Sequence, residues 1–344
     1  MNKIRITILL LFALLISSST NAQLLRSTSK VGTTAAQFLK IGAGARAIGM
    51  GGAYSALGGD IYSVYWNPAG LASIKTNTEI AFNHAEWLAD ISYDFAAAAL
   101  NMGEFGVLSA SFTSMRVPED DVRTFEAPEG DGRTWDASSL AITVGYSKKL
   151  TDRFSFGAQV KFIRESIWNS SATGFALDIG TQYITPFNDL VIGASVSNFG
   201  STMSLDGRDI QFNYDPNDNL DTGPNNVPSN LATDEFDLPL TFRIGLAMDI
   251  YNSRYFRVTG AIDATHPNDN TEYVNSGLEF AYDDMFFLRA GYKSLFMDNT
   301  EEGLTYGAGF KYTLSGGMNI FVNYGYADYG RLENVQFVDI GLGF

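Results

Sequence analysis

From Thr78 to the last residue, apolar and polar side chains alternate with a period of two, in segment after segment of about ten residues. Phe154, Phe156, Ala158, Val160 and Phe162 share one face while Ser155, Gly157, Gln159 and Lys161 share the other. Leu304, Tyr306, Ala308, Phe310 and Tyr312 oppose Thr305, Gly307, Gly309, Lys311 and Thr313, and Phe242, Ile244, Leu246 and Met248 oppose Arg243, Gly245 and Asp249. Fourteen such segments are predicted. The first half begins near Thr78, Ser92, Glu104, Ala137, Phe154, Ser171 and Asn188, and the second near Leu238, Arg254, Glu272, Met285, Gly303, Gly317 and Asn334.

The connections between these segments sort by length. Every second one is tight: 101–103, 150–153, 184–187, 251–253, 283–284 and 315–316. The others include every long one, above all Arg116 to Asp136 and Asn198 to Asp237. A soluble sandwich has no reason for that parity. A transmembrane barrel does, because short turns lie at one membrane face, long loops at the other, and an even strand count returns both ends to the short-turn side. The fold expected is therefore all-β, a transmembrane antiparallel β-barrel of about fourteen strands. Phe156, Val160, Ile244, Tyr306, Phe310 and Ile340 are expected to face lipid, and Gln159, Lys161, Arg243, Gly307, Lys311 and Asp339 the lumen. Arginine at Val160 or Phe310 should then cost roughly 2 to 4 kcal/mol, and at Gln159 much less.

The chain starts differently. Lys3 and Arg5 precede the apolar run Ile6–Ile16 and the small polar stretch Ser17–Ala22. An apolar run of about 11 residues is short of the roughly 20 needed to span, so residues 1–22 are expected to be a cleaved signal peptide. Residues 23–77 lack alternation and are rich in Gly and Ala. Too apolar to stand in water ahead of strand one, they are expected to fold into the lumen as a plug, with short helices near Ala35–Lys40 and Tyr62–Trp66. Asn67-Pro68-Ala69-Gly70 supplies a turn, since proline biases Asn67 away from helix. Residues 78–344 form the barrel.

Composition narrows the chemistry. There is no cysteine, and the net charge of −15 becomes about −17 once Lys3 and Arg5 are removed, which argues against nucleic acid as a partner. The glycines at 42, 44, 49, 51 and 52 lack the Gly-Lys-Ser/Thr and the βαβ context of a phosphate loop. Inward-facing positions collect Lys161, Glu165, Asp178, Arg243, Asp249, Asp263, Glu279, Arg289, Lys293, Lys311 and Asp339, expected to be an ion-paired lining that holds the plug rather than an open selective pore. Asp215, Asn217, Asp218, Asn219 and Asp221 are spaced as calcium ligands, but Leu220 and Asn226 stand where that loop needs glycine and glutamate, so a solvated loop is expected. His84 and His266 are the only histidines. Neither has a partner nucleophile in the sequence, and no catalytic residue, metal or cofactor is expected.

The blocks FLKIGAGARAIGMGGAYSAL (Phe38–Leu57), YWNPAGLA (Tyr65–Ala72), EWLADISYDF (Glu86–Phe95), SATGFALDIG (Ser171–Gly180) and VSNFG (Val196–Gly200) resemble the PorV/PorQ family of outer-membrane proteins, related in fold to the fatty-acid transporter FadL. That resemblance implies a fourteen-stranded plugged barrel in the outer membrane, serving a type IX secretion system by binding secreted cargo or other components of the system. The alternative it leaves is FadL-like transport of hydrophobic small molecules. The terminal strand, ending on Phe344, resembles the signal read by the barrel assembly machinery during insertion. Partner binding is expected on the two long loops, whose aromatics Phe125, Trp135, Phe212, Tyr214 and Phe236 stand among acids.

Overall fold

The computed structural model describes residues 30–216, 226–297 and 300–344. The expected signal peptide and Asn217, Asp218, Asn219 and Asp221 lie outside the described residues. The barrel strands are β1 Thr78–Glu86, β2 Ser92–Asn101, β3 Val107–Asp121, β4 Thr134–Thr151, β5 Phe154–Ile167, β6 Ser170–Ile184 and β7 Val191–Gly200. The set continues with β8 Thr241–Asn252, β9 Phe256–Pro267, β10 Tyr273–Tyr282, β11 Phe286–Leu295, β12 Leu304–Thr313, β13 Asn319–Asp328 and β14 Asn334–Gly343. Each pairs antiparallel with its neighbours. The ring closes where Glu79 to Glu86 of β1 run against Gly343 to Gln336 of β14.

Side chains alternate as the pattern requires. Along β14, Val335, Phe337, Asp339 and Gly341 point inward while Val338, Ile340 and Leu342 are exposed. Val160, Ile244, Leu288, Tyr306 and Phe310 belong to the same outward apolar belt. Such a belt on a closed sheet is a lipid-facing surface, because each strand satisfies its backbone within the ring and offers hydrocarbon no edge. No helix among the described residues is long and apolar enough to cross a membrane.

The wall is uneven. Strands β3 to β6 have 15, 18, 14 and 15 residues, whereas β1 has 9. A membrane needs about 9 to 11 per strand, so this sector stands proud at the long-loop end. The region Arg116–Asp136 is consequently less irregular than expected: pairing continues through Asp120 opposite Trp135, past a register shift between Val117 and Asp120, and leaves only residues 122–133 as a tip. Pro118, which has no N–H to donate, sits in that shift. Within Asn198–Asp237, Asp206–Gly207 pairs with Ser170–Ser171, and Gln211–Tyr214 forms a small hairpin with Val227–Asn230.

Residues 30–77 thread the barrel from end to end. The Ala35 N–H bonds Asp237 O (2.9 Å) at the long-loop end, and the Asn77 N–H bonds Phe344 O (2.6 Å) at the tight-turn end. Short helical turns at Gln37–Lys40, Ala45–Gly49, Ser63–Trp66 and Pro68–Ser73 lie between. Asn67 is extended, with φ −157°, and its side chain accepts the Ala69 N–H at 3.1 Å, so proline opens the following turn instead of breaking one.

Candidate functional site

Plug and wall meet backbone to backbone at inward glycines. A Cβ on Gly157, Gly193, Gly277 or Gly291 would collide with the backbone of Pro68, Ser55, Met50 or Gly51 of the plug, and one on Gly180 with the Asn67 side chain, closer than real Cβ atoms come. This is the use of glycine inside a strand: another backbone approaches where a side chain would stand. The small-residue run of the plug and the glycines of the wall are one feature seen from two sides.

Polar side chains complete the contact. Ile61, Tyr54, Ser55 and Ala45 donate backbone N–H groups to Glu79, Asp263, Asp263 and Asp339 at 3.0, 2.9, 2.8 and 2.8 Å. Gln159, Gln182 and Ser195 return donors to the carbonyls of Val64, Leu57 and Trp66 at 2.9, 2.6 and 3.1 Å. The charged centre is Glu279. It accepts Arg46 of the plug at 2.9 and 3.0 Å, Arg289 at 2.8 Å and Arg257 at 3.3 Å, while Arg46 also reaches Asp60 at 2.9 Å. Buried carboxylates and guanidiniums are tolerable only when paired this fully.

Of the eight candidate lumen residues, six sit in this packed interior. Lys161 meets Asp178 at 3.0 Å, Arg243 lies over the Trp66 ring at 5.5 Å, Asp339 also accepts Asn83 at 2.6 Å, and Glu279 and Arg289 pair as above. Asp249 and Lys311 instead line a polar cavity of about 530 Å³ at the tight-turn end, with Lys75 and Arg257. Four residues of the network were not singled out in the sequence: Arg46, Asp60, Glu79 and Arg257. A signal existed for two, since Arg46 and Asp60 are the only charges between Ile41 and Ala72.

The long-loop end holds an apolar cavity of about 640 Å³ between the strap 32–35, the raised wall and the second long loop. Met115, Val117, Ile167, Met203, Leu205 and Phe236 supply its walls, and Glu165 the one charge within them apart from Asp234. Glu165 accepts the Ala36 N–H at 2.9 Å. A second tie is Asp269, whose carboxylate takes Thr34, Gln37 and Lys40 at 2.9, 2.8 and 2.9 Å. Burial by itself would raise this group's pKa. The hydrogen bonds from Gln37, Lys40 and Thr34 outweigh that and hold it below the usual aspartate value.

The five loop aromatics do not form one patch. Phe236 enters the cavity, Phe212 and Tyr214 pack edge to face at 6.5 Å on the small hairpin, Phe125 is fully exposed at the other tip, and Trp135 lies in the raised hairpin. His84 and His266 engage Asp94 and Glu272 at 2.7 and 2.9 Å. Among the described residues no group of three His, Asp or Glu is placed to hold a metal ion.

Comparison with known proteins follows this geometry. Residues 25–266 match the family model described as type IX secretion system protein PorV. The Pseudomonas putida toluene transporter TodX superposes with a TM-score of 0.56 at 14% identity, over 88% of this chain and 97% of its own. A Pseudomonas aeruginosa FadL homologue gives 0.54 at 14%, over 88% and 98%. The Ralstonia pickettii toluene transporter TbuX gives 0.53 at 12%, over 88% and 97%. At such identities the likeness is one of fold. No curated protein matches the chain by sequence.

Proposed function

The chain belongs to the PorV family of type IX secretion system proteins, and on that premise we propose that it is an outer-membrane barrel without chemistry of its own, binding exported proteins or other components of that system at its long-loop end. In this reading the tight turns face the periplasm, the apolar belt meets membrane lipid, and the strand ending at Phe344 is what the barrel assembly machinery handles during insertion.

One observation supports the reading above the rest: wall glycines carry plug backbone, so the lumen is filled by the protein itself. What remains for a large partner is the raised wall and the two long connections, since the periplasmic turns are too short to recognise a protein. Replacing Leu205–Glu235 with a short Gly-Ser linker should leave a heat-resistant, inserted barrel but abolish copurification and surface delivery of exported proteins. Normal delivery by that inserted variant would refute the proposal.

A second reading, passage of an apolar solute, draws on what the two toluene transporters are named for and on the apolar outer cavity. It needs a path past the plug, and backbone contact at Gly157, Gly193 and Gly277 stands across it. Uptake of an apolar solute, lost with the loop replacement while delivery stayed normal, would favour this second reading.

A further inference from the structure

The outer cavity has a chemistry of its own. Its volume of about 640 Å³ falls in the range of ligand sites, roughly 300 to 1,000 Å³. Its lining is apolar apart from Glu165, Asp234 and a few hydroxyls, and the strap that lines one side is tied to Glu165 and Asp237. The two long connections beside it are one-sided in charge. Arg116–Asp136 carries seven carboxylates against three arginines, and the described residues of Asn198–Asp237 carry six against one, with no lysine in either. Two of the arginines, Arg123 and Arg133, are already paired to Asp120 and Asp131.

Resting on the reading above, we propose that this cavity recognises an extended peptide segment of the exported partner: one bulky apolar side chain enters between Met115, Met203 and Phe236, and lysine or arginine residues beside it meet the acidic rim. The rim repels anionic amphiphiles such as fatty acids and attracts basic chain, steering it to the mouth before the apolar contact forms. The rim alone would bind any cation, and the pocket alone any apolar group. Together they demand both on one segment.

The test uses the full mature chain in lipid nanodiscs and fluorescence anisotropy of labelled ten-residue peptides centred on Lys-Phe-Lys, Lys-Ala-Lys or Glu-Phe-Glu. Lys-Phe-Lys should bind, more weakly as salt rises. Lys-Ala-Lys should bind roughly ten- to a hundredfold more weakly, the loss expected when one apolar side chain is no longer buried. Ala137→Phe, which fills the cavity, should erase the difference between those two peptides. Asp234→Lys, at the rim, should weaken Lys-Phe-Lys several-fold at low salt and little at high salt. Equal binding of all three peptides, no binding of Lys-Phe-Lys, or its displacement by toluene would overturn the proposal, the last assigning the cavity to a small apolar solute. If the peptides fail while the loop replacement still abolishes delivery, only this inference falls. If delivery survives the loop replacement, the proposed function itself falls.

Discussion

Glu279 is where plug and wall are coupled most strongly, and Glu279→Ala tests that coupling. The substitution leaves Arg289, 2% exposed, without its carboxylate and Arg46, 19% exposed, with only Asp60. Removing one member of a buried ion pair costs about 3 to 5 kcal/mol, because the survivor stays buried and unpaired. Arg46 keeps Asp60 and Arg289 keeps Asn323, so the low end, about 3 kcal/mol, is the reasonable expectation. The loss falls on the plug, since the strand ladders do not pass through Glu279's side chain. At 1.4 kcal/mol per tenfold, plug opening should become about a hundredfold more frequent. Amide hydrogen exchange across Gly42–Gly59 in the inserted protein reads this directly. Arg46→Ala with Glu279→Ala should recover part of the protection, as one stranded cation is gone. If Glu279→Ala exchanged as slowly as the parent while Lys311→Ala, at the open cavity, did not, the ion network would be idle and the packing account would have to stand without it.

Arginine at Val160 or Phe310 should cost about 2 to 4 kcal/mol of folded barrel in a denaturant titration, whereas Lys311→Arg should be silent. Equal damage from both sets would contradict the facing assignment. Gln159 is no longer a mild position: it is 3% exposed and bonds Val64 O and Asp178, so Gln159→Arg should also disturb the plug, visible as faster exchange near Val64. Gly193→Val should displace Ser55 from the wall and expose residues 42–59 to a protease added on the periplasmic side, while Ala194→Val on the lipid face leaves them protected. Asp269 holds a depressed pKa in the folded state, so its stabilisation is complete above the ordinary aspartate value of about 4 and fades only below it. The strap Thr34–Lys40 should therefore exchange slowly at pH 7 and loosen under acid, and Asp269→Ala should loosen it already at pH 7.

Alternation and turn parity carried the barrel because they are local properties: a strand such as Asn334–Gly343 must place Ile340 outward and Asp339 inward whatever its neighbours do. Strand ends were harder. Glu104 was expected in a strand, yet Gly103–Phe105 makes a helical turn before β3 starts at Val107, and β3 then overruns its expected end at Met115 by six residues to Asp121. The surplus depends on where the membrane ends, which no local pattern states. The plug helix Ala45–Gly49 has no amphipathic signature because strands β11 to β14 on one side and the rest of the plug on the other leave it no water-facing side. The partner of Arg46 on the wall was hidden for a related reason: a contact spanning more than two hundred residues, as Arg46 makes with Glu279, leaves no trace in spacing.

The central claim is that exported proteins are met at the long-loop end of a filled barrel. Site-specific photo-cross-linking in cells tests it most directly, with the cross-linker at Phe236 or Tyr214 and, as controls at the tight-turn end, at Leu150 near the end of β4 or Phe187 in a tight turn. The account predicts adducts with identified exported proteins from Phe236 and Tyr214 and none from the controls. Adducts confined to Leu150 and Phe187 would contradict it.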